Sequence, residues 1–552
     1  MKYVIIGAVA GGASTAARLR RLDEKAHIVL FEKTGYISYA NCGLPYYIGN
    51  VIRERDKLFV QTAASFQARF NVDVRINTEV VAIDPLNKTI TSLDHLSGKY
   101  LVEPYDKLVL SPGANPIKPE LPGIDLEGIF TLRNVRDTDH IKSYIQKRSA
   151  GRAVIIGAGF IGLEMAENLK HAGMEVTIIE RDEQVMGPLD YAMAAIVQQY
   201  LRTKEINLHL GVNVTGFKET PRLQVVTDEG NYDADVVILS IGVKPDVRLA
   251  EMAGLETGRG IRVNEYLQTS NPDIYAIGDA IEFTNPLTGQ TWNTYLAGPA
   301  NKQGRICANN MVMGNRQSWK GSVHTAIAKI FELTAGCTGM SSKELKRAGI
   351  DHLLSTTHSF SHANYYPGAE MMTIQLAFAP TTGQLYGAQV VGMKGVDKRL
   401  DVLSSIIGNG GSIDDLCEFE QAYAPPYSSA RDAVNIAGMA AENILQGRMD
   451  VYYCEDSEVT DAENLLVDVR TEKEYSEGHI DGAINIPLDV LRMRLHELPK
   501  DRLILIYCQI GLRGYLASRI LKQEGFSVKN LSGGYRSWIA CKGERQPMAA
   551  SC

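Results

Sequence analysis

A strand, glycine turn, helix, strand and acid follow one another twice in this 552-residue chain, and that duplication constrains the fold more than any other feature. The first copy runs from the apolar stretch Tyr3-Val4-Ile5-Ile6 through Gly7-Ala8-Val9-Ala10-Gly11-Gly12 into a helical stretch, Ser14 to Leu22, and a strand, Ala26 to Phe31, that ends at Glu32. The second copy has Ala153-Val154-Ile155-Ile156, then Gly157-Ala158-Gly159-Phe160-Ile161-Gly162, a helix from Leu163 to Ala172, and a strand from Glu175 to Ile179 that ends at Glu180. Such a unit suits a dinucleotide. A pyrophosphate must approach backbone amides at a helix N-terminus without meeting Cβ atoms, and an acid must accept the ribose hydroxyls. The second copy meets every requirement, with Glu180 eighteen residues beyond Gly162; the first lacks the middle glycine but has Glu32 twenty residues beyond Gly12. One glycine pattern is weak evidence, whereas two in register with strand, helix and acid are strong.

The remaining chain divides by texture. Between residues 325 and 445 strands and helices mix with aromatic, Pro-containing loops, and near Gly447 the sequence turns polar, as a linker would. The last stretch, of about ninety residues, has its own strand and helix alternation. A chain this long exceeds one hydrophobic core, so three or four domains are expected. Hydrophobic residues at 45% and charged residues at 22% are ordinary for a soluble globular protein. The net charge of -7, without a Lys/Arg block, argues against nucleic acid and anionic membranes as partners. Met1 to Gly12 lacks the charged start of a secretory leader and reads as a buried strand entering a phosphate loop. No apolar run reaches membrane-spanning length, so a cytoplasmic protein is expected.

Eight cysteines are too sparse for a disulfide framework; none forms a CxxC pair and no His stands at metal-ligand spacing, so no metal is expected. Cys42, in Ser38-Tyr39-Ala40-Asn41-Cys42-Gly43-Leu44-Pro45, lies in an irregular polar stretch and is a poor core candidate. A lone thiolate there can attack a disulfide or persulfide sulfur and hold a mixed disulfide. Cys508 ends the apolar strand Leu503-Ile504-Leu505-Ile506-Tyr507, and the loop Cys508-Gln509-Ile510-Gly511-Leu512-Arg513-Gly514 enters a helix. Helix dipole and curled amides stabilise an anion at such a place, which suits a persulfide. A tyrosine-phosphatase-like loop needs five residues between Cys and Arg, and only four precede Arg513 here. Cys307, Cys337 and Cys417 read as core or helix-face residues, and Cys454, Cys541 and Cys552 as spare surface thiols with no assigned role.

Two further motifs stand in order after the glycine turns. Tyr105-Asp106-Lys107-Leu108-Val109-Leu110-Ser111-Pro112-Gly113-Ala114 resembles the connection into a nicotinamide domain, and Ile274-Tyr275-Ala276-Ile277-Gly278-Asp279-Ala280 resembles a second FAD motif. With them the chain resembles the two-dinucleotide flavoprotein reductases related to glutathione reductase. The resemblance implies FAD on the first unit and NADH on the second. Its cofactor contacts fall on Gly7, Ala10, Gly11, Gly12, Glu32, Lys33, Ser111, Gly113, Gly157, Gly159, Phe160, Ile161, Gly162, Glu180, Gly242, Gly278, Asp279 and Ala297. Asp279 would bond the ribitol chain, and Lys302, Gln303 and Arg305 lie where the flavin-facing helix begins. Glu180 disfavours a 2′-phosphate, while Arg181 leaves NADPH use open.

Paired-cysteine members of that superfamily carry two cysteines separated by four residues; Cys42 stands alone and implies the single-cysteine branch. Peroxide-handling members resemble a pattern with His inside the first glycine turn, where this chain has Ala10. The resemblance therefore favours the coenzyme A disulfide reductases, over roughly the first 445 residues. It implies a homodimer in which tyrosines from the partner act at the cysteine, with Tyr365 and Tyr423 the candidates and Tyr366 and Tyr427 their rivals. A phenol can protonate a leaving thiolate. Coenzyme A brings phosphates, and Arg18 and Arg21, in the first helix and the turn after it, with Ser38, Asn41, Gln61 and Tyr427, resemble that family's substrate set. Leu465-Leu466-Val467-Asp468-Val469-Arg470 and Gly478-His479-Ile480-Asp481-Gly482-Ala483-Ile484-Asn485-Ile486-Pro487 resemble rhodanese domains, in which the His479 segment mainly fixes the fold.

The expected fold class is α/β: two Rossmann-like domains for FAD (1–112 and 246–322) and NAD(P)H (113–245), an α+β dimerisation domain (323–445), a linker (446–457) and a rhodanese-like α/β domain (458–552). The expected activity is FAD- and NADH-dependent reduction of coenzyme A-linked persulfide, polysulfide or disulfide at Cys42, with sulfur carried by Cys508 and Arg513 at the end of its loop. Two alternatives stand beside it: a coenzyme A disulfide reductase with a regulatory tail, and a sulfurtransferase or persulfide carrier whose flavoprotein part is a redox switch.

Overall fold

Strand β1 (Lys2–Ile6) is apolar on both faces, with Val4 and Ile5 fully buried, as a strand inside a covered parallel sheet must be. It feeds helix α1 (Ala10–Leu22), and β2 (His27–Phe31) returns beside it. The following elements that position the site are α2 (Leu44–Ile48), β3 (Asp73–Arg75), β4 (Lys107–Leu110), β5 (Ile129–Thr131), β6 (Arg152–Ile156), α3 (Phe160–His171), β7 (Glu175–Glu180), β8 (Val236–Leu239), β9 (Ile274–Ala276) and α4 (Ala297–Met313). The computed structural model describes residues 1–456, 461 and 463–543. The chain divides into two compact units, residues 1–181 with 212–324, and residues 182–211 with 325 onward.

In the first unit one parallel sheet has the order β9-β4-β1-β2-β3, with Tyr3 opposite Ile28 and Lys107. A second has the run β7-β6-β8-β5, with Ala153 opposite Val176 and Val236. The two sheets repeat the same plan, and the glycine turns open at the C-terminal ends of their central strands, where ligands of open α/β sheets bind.

The second unit holds an antiparallel sheet of β10 (Ala326–Ile330), β11 (Leu333–Gly339), β12 (Leu353–Phe360), β13 (Met371–Phe378) and β14 (Leu385–Gly392), in the order β10-β11-β14-β13-β12. Helix α5 (Ala433–Leu445) buries Val434, Ala437 and Ala441. The tail follows with β15 (Val451–Tyr452), β16 (Leu465–Asp468), β17 (Ile484–Asn485), β18 (Ile504–Tyr507), α6 (Leu512–Gln523), β19 (Val528–Leu531) and α7 (Gly534–Lys542). Its sheet is parallel throughout, in the order β15-β19-β18-β16-β17.

Three expectations are corrected. The linker read at 446–457 contains β15, whose Val451 and Tyr452 pair with Asn530 and Leu531, so the tail sheet begins before residue 458. Arg21 lies within α1 and not in a turn after it. Cys454 and Cys541 are not spare surface thiols: they form a disulfide across 87 residues and are buried, because β15 carries Cys454 into the core cluster that Cys541 joins from α7. Cys552 lies outside the described residues. Cys307 and Cys337 are buried and Cys417 is half-buried, as expected.

Candidate active site

The two glycine turns are built alike. Gly7 has φ +95° and Gly157 φ +99°, the left-handed region that glycine adopts without cost. A Cβ on Gly12 would overlap the Gly7 carbonyl oxygen, and one on Gly162 the Gly157 carbonyl oxygen, so each helix can start only if both are glycine. The acids close the turns: Ala8 N donates to Glu32 Oε2 at 3.2 Å and Ala158 N to Glu180 Oε2 at 2.7 Å. At the middle position Val9 stands where the second copy has Gly159, and both keep negative φ. No atom among the described residues lies within 4 Å of a Cβ built on Gly159, which leaves that face open for the close approach of a pyrophosphate.

Other cofactor candidates gather around the first turn. Ser111 follows β4 and donates its N–H to Ile6 O at 2.8 Å; Gly113, Gly242 and Gly278 have positive φ after strand ends; Ala297 opens α4. Helix α4 packs on α1, with Thr15 Oγ1 donating to Gly304 O at 3.3 Å. Gln303 accepts from Gly278 N at 2.7 Å, while its Nε2 is buried without a partner among the described residues. That donor, beside Gly278 and Asp279, together with the open face at Gly159, fits a flavin and a nicotinamide dinucleotide. Asp279 is paired with Arg133 at 3.2 Å, and burial pushes its carboxyl up against that pairing. Lys33 lines an open cleft with Glu79, Lys244 and Arg248.

Cys42 sits in a 3₁₀ turn, Asn41–Gly43, directly before α2, whose Pro45 opens the helix. The loop before it is held by Ser38, which has φ +44° and donates its N–H to Ala8 O at 2.8 Å. Cys42 is exposed, yet surrounding protein desolvates it enough to push the thiol up, and the carboxylates of Glu164 and Asp279 push it further; Arg133 opposes them. Helix α2 packs on α3, so Tyr46 meets Glu164 in a hydrogen bond. Burial first, then Glu167, raises the Glu164 carboxyl to about 7, and burial with these carboxylates raises Tyr46 to about 12. Glu164 is therefore the largest charge acting against a Cys42 thiolate. Glu164→Gln is expected to lower the pH at which Cys42 alkylation is half-maximal by about one unit, measured peptide by peptide; an unchanged midpoint would show the two groups to be uncoupled.

Among the substrate candidates, Arg18 donates to Asn309 Oδ1 at 2.9 Å, and desolvation with the like charges of Arg305 and Arg21 lowers its pKa. Gln61 accepts from Ser65 Oγ at 3.0 Å. Arg21 and Arg305 are exposed, so the three arginines form a cationic face on α1 and α4.

In the second unit Tyr365 and Tyr423, from separate loops, meet hydroxyl to hydroxyl at 3.2 Å, and that bond raises Tyr365. A buried ion pair knits the loops together. Arg399 bonds Asp432 at 2.5 Å and donates to Ser361 O at 2.8 Å, while Ser428 Oγ donates to Asp432 at 2.6 Å. Burial would raise Asp432, but Arg399 and Ser428 hold it below the usual carboxylate range. Tyr366 packs edge-on against His362, and Tyr427 is exposed.

Cys508 follows β18 and is fully buried; Gly511 N donates to its sulfur at 3.2 Å just before α6 begins. Arg513 forms a fork with Glu474 at 2.7 and 2.6 Å, which pulls that carboxyl down to about 2. Arg470, buried against Asp468 at 2.7 Å, also donates to Gln509 in the cysteine loop at 3.1 Å. His479 stacks on Tyr475 at 3.9 Å. Sequence reading missed Arg133, Tyr46, Glu164 and Arg470 as site residues; only Asp468 and Arg470, inside the rhodanese-like segment, left a signal.

Residues 1–304 match the family described as pyridine nucleotide-disulphide oxidoreductase, residues 325–434 its dimerisation domain and residues 455–541 the rhodanese-like domain. A coenzyme A disulfide reductase of Staphylococcus haemolyticus is 36% identical over 447 residues, covering 80% of this chain and 100% of that protein. The structure of reduced Bacillus anthracis CoADR-RHD superposes with a TM-score of 0.96 at 46% identity, over 98% of each chain. A NAD-dependent persulfide reductase from A. fulgidus superposes with a TM-score of 0.92 at 39% identity, over 98% of this chain and 100% of that one.

Proposed function

The chain belongs to the pyridine nucleotide-disulphide oxidoreductase family, and on that premise we propose that it uses NADH to reduce coenzyme A-linked persulfide, polysulfide or disulfide at Cys42, with sulfur carried by Cys508. One observation carries this reading: the chain presents two free cysteines in reactive settings, one on an exposed turn before a helix and one in an amide-lined loop. Glu32, Ser111, Gly278, Asp279 and Gln303 would hold FAD, which would supply two-electron transfer from NADH to a sulfur–sulfur bond.

The Cys42 thiolate attacks the inner sulfur of a coenzyme A persulfide, forms a mixed disulfide with coenzyme A and releases hydrosulfide. Two electrons and one proton then return Cys42 to the thiolate and free the coenzyme A thiol. The sum is persulfide plus NADH giving thiol, hydrosulfide and NAD⁺. With a disulfide the same cysteine gives two thiols and takes up one more proton. The bonded pair Tyr365 and Tyr423 supplies that proton to the leaving thiolate in a homodimer, each subunit serving its partner's Cys42. Arg18 and Arg21 face the substrate phosphates, with Ser38, Asn41, Gln61 and Tyr427 beside them. No described helix is long and apolar enough to cross a membrane, and consumption of NADH and coenzyme A-linked sulfur fits the cytoplasm. Sedimentation is expected to give a dimer; a fully active monomer would remove the tyrosines from the mechanism.

The test is a substrate panel: NADH turnover with coenzyme A disulfide, coenzyme A persulfide and polysulfide, for the wild type, Cys42→Ser and Cys508→Ser. Turnover with the disulfide alone, untouched by Cys508→Ser, would favour the reading with a regulatory tail, which the Staphylococcus relatives, lacking the tail's share of this chain, support. Sulfur transfer without NADH turnover would leave a carrier only. NADH is expected to exceed NADPH in kcat/KM by at least about tenfold, since a 2′-phosphate would approach the Glu180 carboxylate. Equal efficiencies would show that Arg181 overrides it.

A further inference from the structure

The loop that carries Cys508 is shaped from outside the tail sheet. Two amides at the start of α7 grip its first two peptides: Tyr535 N donates to Cys508 O at 2.8 Å and Arg536 N to Gln509 O at 3.0 Å. With those carbonyls turned toward α7, Gly511 N is left to point at the sulfur. Two glycines, Gly533 and Gly534, with φ of +78° and +61°, precede these amides. A Cβ on Gly534 would overlap the Cys508 carbonyl oxygen and lie 2.8 Å from Gly511 N. A Cβ on Gly533 would overlap Ser537 Oγ and lie 3.1 Å from the methyl of Thr356. The glycine pair is thus a spacer one residue thick on each side, between the cysteine loop and strand β12 of the dimerisation domain.

Strand β12 holds that spacer directly. His358, buried, donates through Nε2 to Gly533 O at 2.9 Å, with Ser537 Oγ at 3.2 Å, and accepts at Nδ1 from Thr373 Oγ1 at 2.9 Å. The tautomer follows from the partners, because a carbonyl can only accept. Burial, then the charge of Arg536, pushes the imidazole down to about 3, so it stays neutral and keeps this pattern at working pH. One residue pair away, Thr356 N donates to Ser532 Oγ at 3.0 Å, and Tyr453 OH donates to Leu354 O at 3.0 Å. His358 is thus aimed at the carbonyl of Gly533, the residue directly before α7, and the first amides of α7 grip the cysteine loop.

We propose that His358, a residue of the dimerisation domain, is a positioning residue for sulfur loading at Cys508: its hydrogen bond to Gly533 sets the start of α7, and α7 sets the amide-lined loop. This rests on the reading of Cys508 as a sulfur carrier. The loading step with thiosulfate balances by itself. The Cys508 thiolate attacks the outer sulfur, a new S–S bond forms, the bond to the sulfonate sulfur breaks, and sulfite leaves with the electron pair.

The test uses the full-length, flavin-containing protein and inorganic thiosulfate as probe. Loading is read as the gain of one sulfur mass on the Cys508 peptide over time, for wild type, His358→Leu and His358→Gln. Leucine fills the space without a donor, whereas glutamine carries an N–H that can reach Gly533 O. Loading is expected to slow at least about tenfold in His358→Leu, the equivalent of about 1.4 kcal/mol in the barrier, and to return to within about threefold of wild type in His358→Gln. A merely structural loss would follow the drop in thermal midpoint in both variants and would not be repaired by the donor. Wild-type loading rates in His358→Leu, or a loss that glutamine fails to restore, overturn the proposal. A wild-type protein that takes no sulfur overturns instead the carrier reading beneath it, and this proposal with it.

Discussion

Cys42→Ser is expected to abolish NADH-driven reduction of coenzyme A disulfide and persulfide alike, a fall in kcat of at least about 10³-fold, while NADH still bleaches the flavin. A hydroxyl cannot replace a thiolate in sulfur exchange, because attack requires an anion that a serine does not form near neutral pH. No other free cysteine in the first unit can take over, since Cys307 is fully buried and burial pushes its thiol far up. The residues proposed to hold the cofactors are untouched: Glu32 and Glu180 close their turns through backbone amides, and Gln303 accepts from Gly278 N. The split between lost turnover and retained flavin reduction is therefore the measurement that matters. Stopped-flow reduction by NADH, followed by steady-state turnover on each substrate, reads both halves. Retention of more than about a tenth of the turnover would move the exchange chemistry away from Cys42.

The duplicated unit was legible because each of its physical needs leaves a mark in the sequence. Gly12 and Gly162 must be glycine since a Cβ would overlap a carbonyl of the preceding turn, and Glu32 and Glu180 each accept a turn amide with one carboxylate oxygen. Val9 broke the pattern harmlessly because its φ of -103° suits any residue. Cys508 was legible for a similar reason, as a cysteine between an apolar strand and a helix. What stayed hidden depends on pairs far apart in the chain. Arg133 reaches Asp279 across 146 residues, and Cys454 reaches Cys541 across 87. Glu164 looked like an ordinary helix residue, and only the packing of α2 on α3 sets it beside Tyr46 and Cys42. Strand β15, two residues long, carries no periodicity that could separate it from a linker.

Cys508→Ser is expected to prevent the gain of one sulfur mass on the tail and to slow NADH turnover with polymeric sulfur donors at least about tenfold. Turnover with coenzyme A persulfide should stay within about twofold of wild type, because that substrate reaches Cys42 unaided. The geometry favours a persulfide over a phosphate ester or a bound oxyanion. Arg513, which a phosphate-binding loop would need free, is committed to Glu474 in a two-bond fork. The sulfur at position 508 is left to the Gly511 amide, which donates to it at 3.2 Å just before α6 begins. The sulfur is fully buried, and the end of a polysulfide chain, one atom wide, is the slimmest donor that could be brought to it. Loading then sets a reactive outer sulfur one bond beyond the thiol, where a coenzyme A thiolate can collect it and carry it as the substrate of Cys42. If the two kinds of substrate lose turnover equally, the tail serves the structure of the enzyme and not its sulfur supply. If neither loses any, Cys508 stands outside the cycle, and the Gly511 amide holds a thiol that the reductase does not use.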